Sequence, residues 1–190
     1  SEAYPALYQD SASRQTADKA IKILQGRCVG GSTTVNWTSS FRTPPATLQW
    51  WQTAHGLKNL SVDAMAPWFA AMEQRLHVGL WPLPPNDNNA ALARGAAQLG
   101  IPVAVIPRNV KMCWNLGYCG LGCPTNAKQS MLLTTIPAAL TRGATLISRL
   151  RAEKLEFSGN KAVALEALAL KPDGLLPSGI RVSLRARHFV

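Results

Sequence analysis

The stretch that decides the fold is Gly26-Arg27-Cys28-Val29-Gly30-Gly31-Ser32-Thr33-Thr34-Val35-Asn36-Trp37. Its paired glycines let a backbone approach a ligand without interference from a Cβ. The hydroxyls of Ser32, Thr33 and Thr34, with the neighbouring N–H groups, form a dense row of donors suited to phosphate or carbonyl oxygens. Val29 and Val35 bracket the row, which predicts a loop pinned to a core on both sides. These residues admit two readings: a cradle for an anion or cofactor, and a glycine turn between buried segments.

Outside the loop, 190 residues give room for one domain or two small ones and enough chain to bury a core. A hydrophobic fraction of 47% is that of a soluble globular protein. No apolar run approaches the ~20 residues that span a bilayer, so no transmembrane segment is expected. Ser1-Glu2-Ala3-Tyr4-Pro5 is not a basic-then-apolar leader. With no targeting signal in the segment, a cytoplasmic or membrane-associated protein is expected. The net charge of +10 invites a nucleic-acid reading. Its placement argues against one, because lysines and arginines are scattered without a basic run or interleaved aromatics.

Along the chain, Ala20, Ile21, Ile23 and Leu24 predict a short buried strand feeding the loop. Phe41-Arg42-Thr43-Pro44-Pro45 stops any regular element. Val62, Met65, Phe69, Met72 and Leu76 recur at helical spacing, with Ser61 placed to cap the helix and Pro67 inside it. Asn86-Asp87 opens a second helix with Leu92, Ala96 and Leu99 expected to face inward, ended by Gly100 and Pro102. Val103, Val105 and Ile106 predict a short strand. A third helix carries Pro137 in its first turn and Gly143 at its end. From Ala144 the period becomes two. Leu150 and Ala152 lie in one phase, Leu155 and Phe157 in the other, followed by Val163, Leu165 and Ala167, then Ile180, Val182 and Leu184. Ser158-Gly159-Asn160 and Pro172-Asp173-Gly174 mark the turns of an antiparallel meander.

These residues converge on a known family. Gly26-Arg27-x-Val29-Gly30-Gly31-Ser32-Thr33-x-Val35-Asn36 resembles the first signature of glucose–methanol–choline (GMC) flavoprotein oxidoreductases. Phe41-x-x-Pro44 resembles its end, with the aromatic one residue later than usual. Cys119-Gly120-x-Gly122-Cys123-Pro124-x-x-Ala127-Lys128-x-Ser130 resembles a glycine-rich, lysine-bearing motif of bacterial dehydrogenase members. Gly143 through Phe157 resembles the strand near the adenosine end of the flavin cofactor.

The resemblance implies an α+β fold. It would be a partial FAD-binding domain with an antiparallel meander and a helical substrate-covering part. Residues 1–45 would be a segment of the FAD-binding domain, 46–143 the helical and loop region with the cysteine cluster, and 144–190 the strands. It implies FAD as cofactor, with Val29, Gly30, Gly31, Ser32, Asn36, Trp37 and Thr38 along it, the last three nearest the flavin ring. Ala152 would lie at the adenine; as a plain reading it is a small core residue. It also implies oxidation of a small-molecule alcohol by hydride transfer to flavin; neither the particular alcohol nor the electron acceptor is encoded in these motifs.

Two family features are not in the sequence: the Gly-x-Gly-x-x-Gly turn and the catalytic histidine. His55, His77 and His188 match none of the family's catalytic positions and read as surface or packing residues, so no catalytic residue is assigned. The chain is therefore expected to be an internal segment, inactive alone. A non-catalytic binding or structural module is the competing reading.

Four cysteines occur, three of them within eleven positions as Cys113-x5-Cys119-x3-Cys123, with Cys28 apart. Plain packed thiols and an iron–sulfur cluster held by the three thiolates are the leading readings. The spacing is similar to that of cluster-bearing sugar dehydrogenases of the same family. A disulfide in the loop and a zinc site rank behind, since closed zinc sites want four ligands.

Overall fold

The computed structural model describes residues 2–190 and contains both helices and antiparallel sheet, an α+β arrangement. In chain order the elements are α1 (Ala3–Leu7), α2 (Pro45–His55), α3 (Val62–Arg75), β1 (Val78–Gly79), α4 (Asp87–Gln98), β2 (Arg108–Asn109), α5 (Thr135–Leu140), β3 (Leu150–Ser158), β4 (Lys161–Leu170) and β5 (Pro177–Arg185). The chain divides into two compact units. One comprises Ser1–Ser32 with Pro137–Val190, the other Thr33–Ile136. No helix among the described residues is long and apolar enough to cross a membrane.

The first unit is built on a three-stranded antiparallel sheet in the order β3-β4-β5. Gly159 takes a positive φ of 58° at the first position of the two-residue turn between Ser158 and Lys161. The change of phase along β3 has a structural cause. The register passes from Ala152 opposite Ala167 to Lys154 opposite Glu166, so Glu153 is bulged out. A one-residue bulge moves every following side chain to the other face. The β4–β5 connection is closed by Asp173, whose Oδ1 accepts from the N–H groups of Leu175 (2.8 Å) and Leu176 (3.3 Å). These bonds hold its carboxyl below the usual range.

The buried strand expected before the glycine loop does not form. Residues 20–25 make no strand, and Ile21, Ile23 and Leu24 are exposed. The isolated bridges Tyr8↔Gly26 and Gln15↔Lys22 tie this stretch to the segment before it, and Arg14 Nη1 donates to Gln25 Oε1 at 2.7 Å. Without a full ladder on either side, alternating apolar residues have no sheet to join. Tyr8 is the buried anchor, with the Tyr4 ring tilted beside it at 5.7 Å.

The second unit carries α2 to α4 and the cysteine-bearing loop. α2 begins with Pro45 at its first position and ends at Gly56, left-handed with φ 63°. That Pro-first, Gly-last punctuation was present in the sequence. Ser61 caps α3, its hydroxyl accepting from the Ala64 N–H. Asn86 caps α4, its Oδ1 accepting from the Asn89 N–H at 2.9 Å. Arg42 forms a two-pronged pair with Glu73 of α3 (2.7 and 2.6 Å).

Two expectations fail in this unit. Leu92 of α4 and Leu99 at its C-terminal cap do not face inward; they are 72% and 76% exposed, and Ala90, Ala93 and Ala96 form the more covered face. Residues 101–107 form no strand. The short ladder instead pairs β1 with β2, Val78 opposite Asn109 and Gly79 opposite Arg108.

Much apolar surface stays uncovered. The accessible area is 13962 Å², whereas two separate compact bodies of half the mass would expose about 10,700 Å² together. Phe41, Trp68, Leu80 and Trp114 are all more than two-thirds exposed.

Candidate functional site

In the first unit, Gly26 to Ser32 closes on itself. The Ser32 hydroxyl accepts from the Gly26 N–H at 3.0 Å, and the Gly31 N–H donates to the Cys28 carbonyl at 2.8 Å. A Cβ on Gly26 would fall 2.6 Å from the Gly31 carbonyl oxygen, so only glycine permits this closure. Gly30 and Gly31 have φ of 88° and 58°, and a Cβ on Gly31 would meet nothing within 4 Å. The turn is therefore tight on its inner side and open at Gly31. Arg27 fastens it to the β4–β5 connection and to the end of α1, its Nη2 donating to the Gly174 carbonyl and its N–H to the Leu7 carbonyl. Ala152 lies exposed on β3 opposite Ala167.

In the second unit, Asn36, Trp37 and Thr38 differ sharply from one another. Thr38 is 1% exposed and left-handed at φ 67°. Its hydroxyl donates to the Trp37 carbonyl, and its N–H donates to Asn36 Oδ1 at 3.2 Å. Its carbonyl accepts from the Asn109 N–H and the Ser40 hydroxyl. Asn36 and Trp37 are exposed, Trp37 by 53%. The structure thus presents Asn36 and Trp37 outward beside a buried Thr38, whose hydroxyl is taken up by the Trp37 carbonyl.

What holds this segment is the loop that follows β2, and its centre is Lys128. The side chain is 2% exposed. Its Nζ donates to the carbonyls of Thr34 (2.7 Å), Asn36 (2.7 Å) and Cys119 (2.5 Å). An ammonium has three donors, and here they meet three backbone carbonyls. Bonds from a charged donor are worth about 1.5–3 kcal/mol each, more than neutral ones. Gly120 lies flat under Trp37, since a Cβ there would fall 2.6 Å from the indole ring. The Met131 N–H donates to the Thr33 hydroxyl at 3.0 Å, and Arg108 Nη2 to the Trp37 carbonyl at 3.1 Å. Lys128, Gly120 and Asn109 were not among the sequence-predicted site residues. A lysine directly after a run ending in Ala127, inside a glycine-rich motif, was the available signal.

A cavity of about 460 Å³ borders this clamp, with Thr34, Lys128 and Cys123 in its wall beside Leu121, Leu132 and Leu133. The size is that of a small-molecule pocket.

The cysteines are free thiols. Cys113, Cys119 and Cys123 do line one small cavity, but its volume is about 20 Å³, room for a water rather than an iron–sulfur cluster. Among the described residues no group of three or more His, Cys, Asp or Glu is placed to hold a metal. The sulfurs serve their own turns instead: Cys113 Sγ accepts from the Asn115 N–H at 3.3 Å, and Cys123 Sγ lies 3.5 Å from the Thr125 hydroxyl. The iron–sulfur expectation finds no support in this geometry.

Partial burial pushes the Cys123 thiol up, but the Thr125 hydroxyl and the N–H groups of Lys128, Thr125 and Ala127 outweigh it and hold it below the usual value. Its thiolate therefore persists to lower pH than that of a free cysteine. Iodoacetamide labelling of Cys123 should reach half its maximal rate at a lower pH than labelling of a cysteine in an unstructured peptide. Thr125→Val, which removes one donor, should move that midpoint upward. A Cys123 midpoint at or above the ordinary value would contradict the hydrogen-bond assignment.

His55 sits exposed in the last turn of α2 with its ring edge-on to Trp50 at 4.8 Å.

The comparisons with known proteins agree with this architecture. A family model described as GMC oxidoreductase matches residues 4–188. An uncharacterised GMC-type oxidoreductase of Sinorhizobium fredii is 27% identical over 98% of this chain and 36% of its own length. Another, of Mycobacterium tuberculosis, is 34% identical over 90% of this chain and 27% of its own length. A long-chain-alcohol oxidase of Arabidopsis thaliana is 29% identical over 82% of the chain and 21% of its own length. The chain thus spans between a fifth and just over a third of the length of these relatives. A match that runs through the glycine loop, the lysine-bearing loop and the three-stranded sheet in one frame places the chain in the GMC oxidoreductase family.

Proposed function

We propose that this chain supplies part of the FAD site of an enzyme that oxidises the CH–OH group of a small-molecule alcohol. The observation that carries the reading is the closed turn at Gly26–Ser32, whose inner side admits no Cβ and whose outer side is open at Gly31. An extended, polar and partly anionic cofactor needs such an approach to bare backbone. Family membership supports FAD, and the long-chain-alcohol oxidases among the relatives support an alcohol as substrate.

In this reading Val29, Gly30, Gly31 and Ser32 lie along the cofactor and Ala152 contributes backbone near its adenine. Asn36 and Trp37, exposed on the buried Thr38, present an amide and an aromatic face toward the flavin end. Bound FAD supplies the acceptor for the hydride from the alcohol carbon. The accompanying hydroxyl proton needs a base, and His55, His77 and His188 are not assigned that role.

Protein expressed from the full native reading frame that carries this chain is expected to be yellow, with flavin absorbance. Anaerobic addition of a long-chain primary alcohol should bleach it. Colourless, well-folded protein that FAD cannot reconstitute would overturn the cofactor assignment; a flavin that no alcohol reduces would overturn the substrate class.

A further inference from the structure

We propose that Lys128 is a positioning residue for the flavin, acting through the backbone of residues 34–37. The inference rests on the FAD reading above. The geometry behind it is the convergence of one buried ammonium on carbonyls far apart in sequence. Thr34 and Asn36 lie 94 and 92 residues from Lys128, and Cys119 lies in its own loop.

A peptide is planar and trans, so its N–H points opposite to its carbonyl. By drawing in the Thr34 and Asn36 carbonyls, Lys128 sets the Val35 and Trp37 N–H groups to face the other way. The same contact joins this segment to Cys119, beside Gly120, on which the Trp37 ring lies. One side chain therefore fixes both the peptide direction and the aromatic seat of the segment proposed to meet the flavin. Lysine suits this role because its three donors radiate from a single nitrogen. Arginine presents a flat fork and cannot converge on three carbonyls in the same way.

Holoenzyme from the full native reading frame gives the test, with Lys128→Met, Lys128→Arg and, as a control for general destabilisation, Ser61→Ala at the α3 cap. FAD dissociation and the visible circular dichroism of the bound flavin are read for each. Lys128→Met is expected to release FAD at least tenfold faster and to alter the flavin band, with Lys128→Arg intermediate. Ser61→Ala should lower thermal stability and leave both flavin readouts at the wild-type value. If Lys128→Met loses stability alone, with wild-type dissociation and spectrum, Lys128 is only structural and the proposal falls. Should Lys128→Met fail to fold, Lys128→Arg decides: wild-type readouts there overturn it equally. Wild-type protein that takes up no FAD would instead sink the reading beneath, a separate outcome.

Discussion

Gly26→Ala is expected to abolish retention of the cofactor and to lower thermal stability. The added Cβ would lie 2.6 Å from the Gly31 carbonyl oxygen, 2.7 Å from its carbon and 2.8 Å from the Ser32 nitrogen. All three are backbone atoms, so no side chain can swing aside. The turn must open, and the Gly26–Ser32 hydrogen bond goes with it. Overpacking of this kind costs about 1–3 kcal/mol, and rigid backbone neighbours place it toward the upper end. For a domain of this size that corresponds to a fall of several degrees in Tm, on the order of 2–4 °C per kcal/mol. The change also disrupts the surface on which the cofactor is proposed to lie, so FAD content should drop at least tenfold. Purified Gly26→Ala protein with a full complement of FAD and an unchanged Tm would show that the turn is not as closed as described.

Gly120→Ala should act differently, although the overlap is equally severe. Its Cβ would lie 2.6 Å from the Trp37 ring. That ring is 53% exposed and has room to move. The expected result is a folded protein, destabilised by about 1 kcal/mol or less beyond a surface change, with a displaced indole. Because Trp37 is proposed to face the flavin, the visible circular dichroism of the bound cofactor should change while most FAD is retained. The contrast between the two glycines is the informative result: one blocks backbone, the other redirects a ring. An unaltered flavin spectrum in Gly120→Ala would remove Trp37 from the cofactor site.

Several elements follow directly from local chemistry in the chain. Ser61 and Asn86 mark the starts of α3 and α4 because their side chains accept from N–H groups three residues on. The opposed phases of Leu150 with Ala152 and Leu155 with Phe157 needed a bulge between them, and Glu153 supplies it. The glycine loop was legible because positive φ and a forbidden Cβ restrict a position to glycine. α2 is not among the elements expected from the sequence, although its Pro45 start and Gly56 end are standard punctuation. Helical spacing at Leu92 and Leu99 gave the helix correctly and its covered face wrongly. Periodicity reports that a stripe exists, not what covers it.

The sequence by itself determined the family, the place of the glycine loop and the capped helices, because each depends on residues within a few positions of one another. Tertiary structure alone decided that Thr38 is buried and that the Cys113 and Cys123 sulfurs contact groups of their own turns. It alone brought Lys128 to the carbonyls of Thr34 and Asn36 more than ninety residues away. The physical reason is that a lysine's three donors carry no address. Only a fold that buries the ammonium obliges it to find acceptors, and those acceptors are backbone carbonyls that no side-chain pattern records.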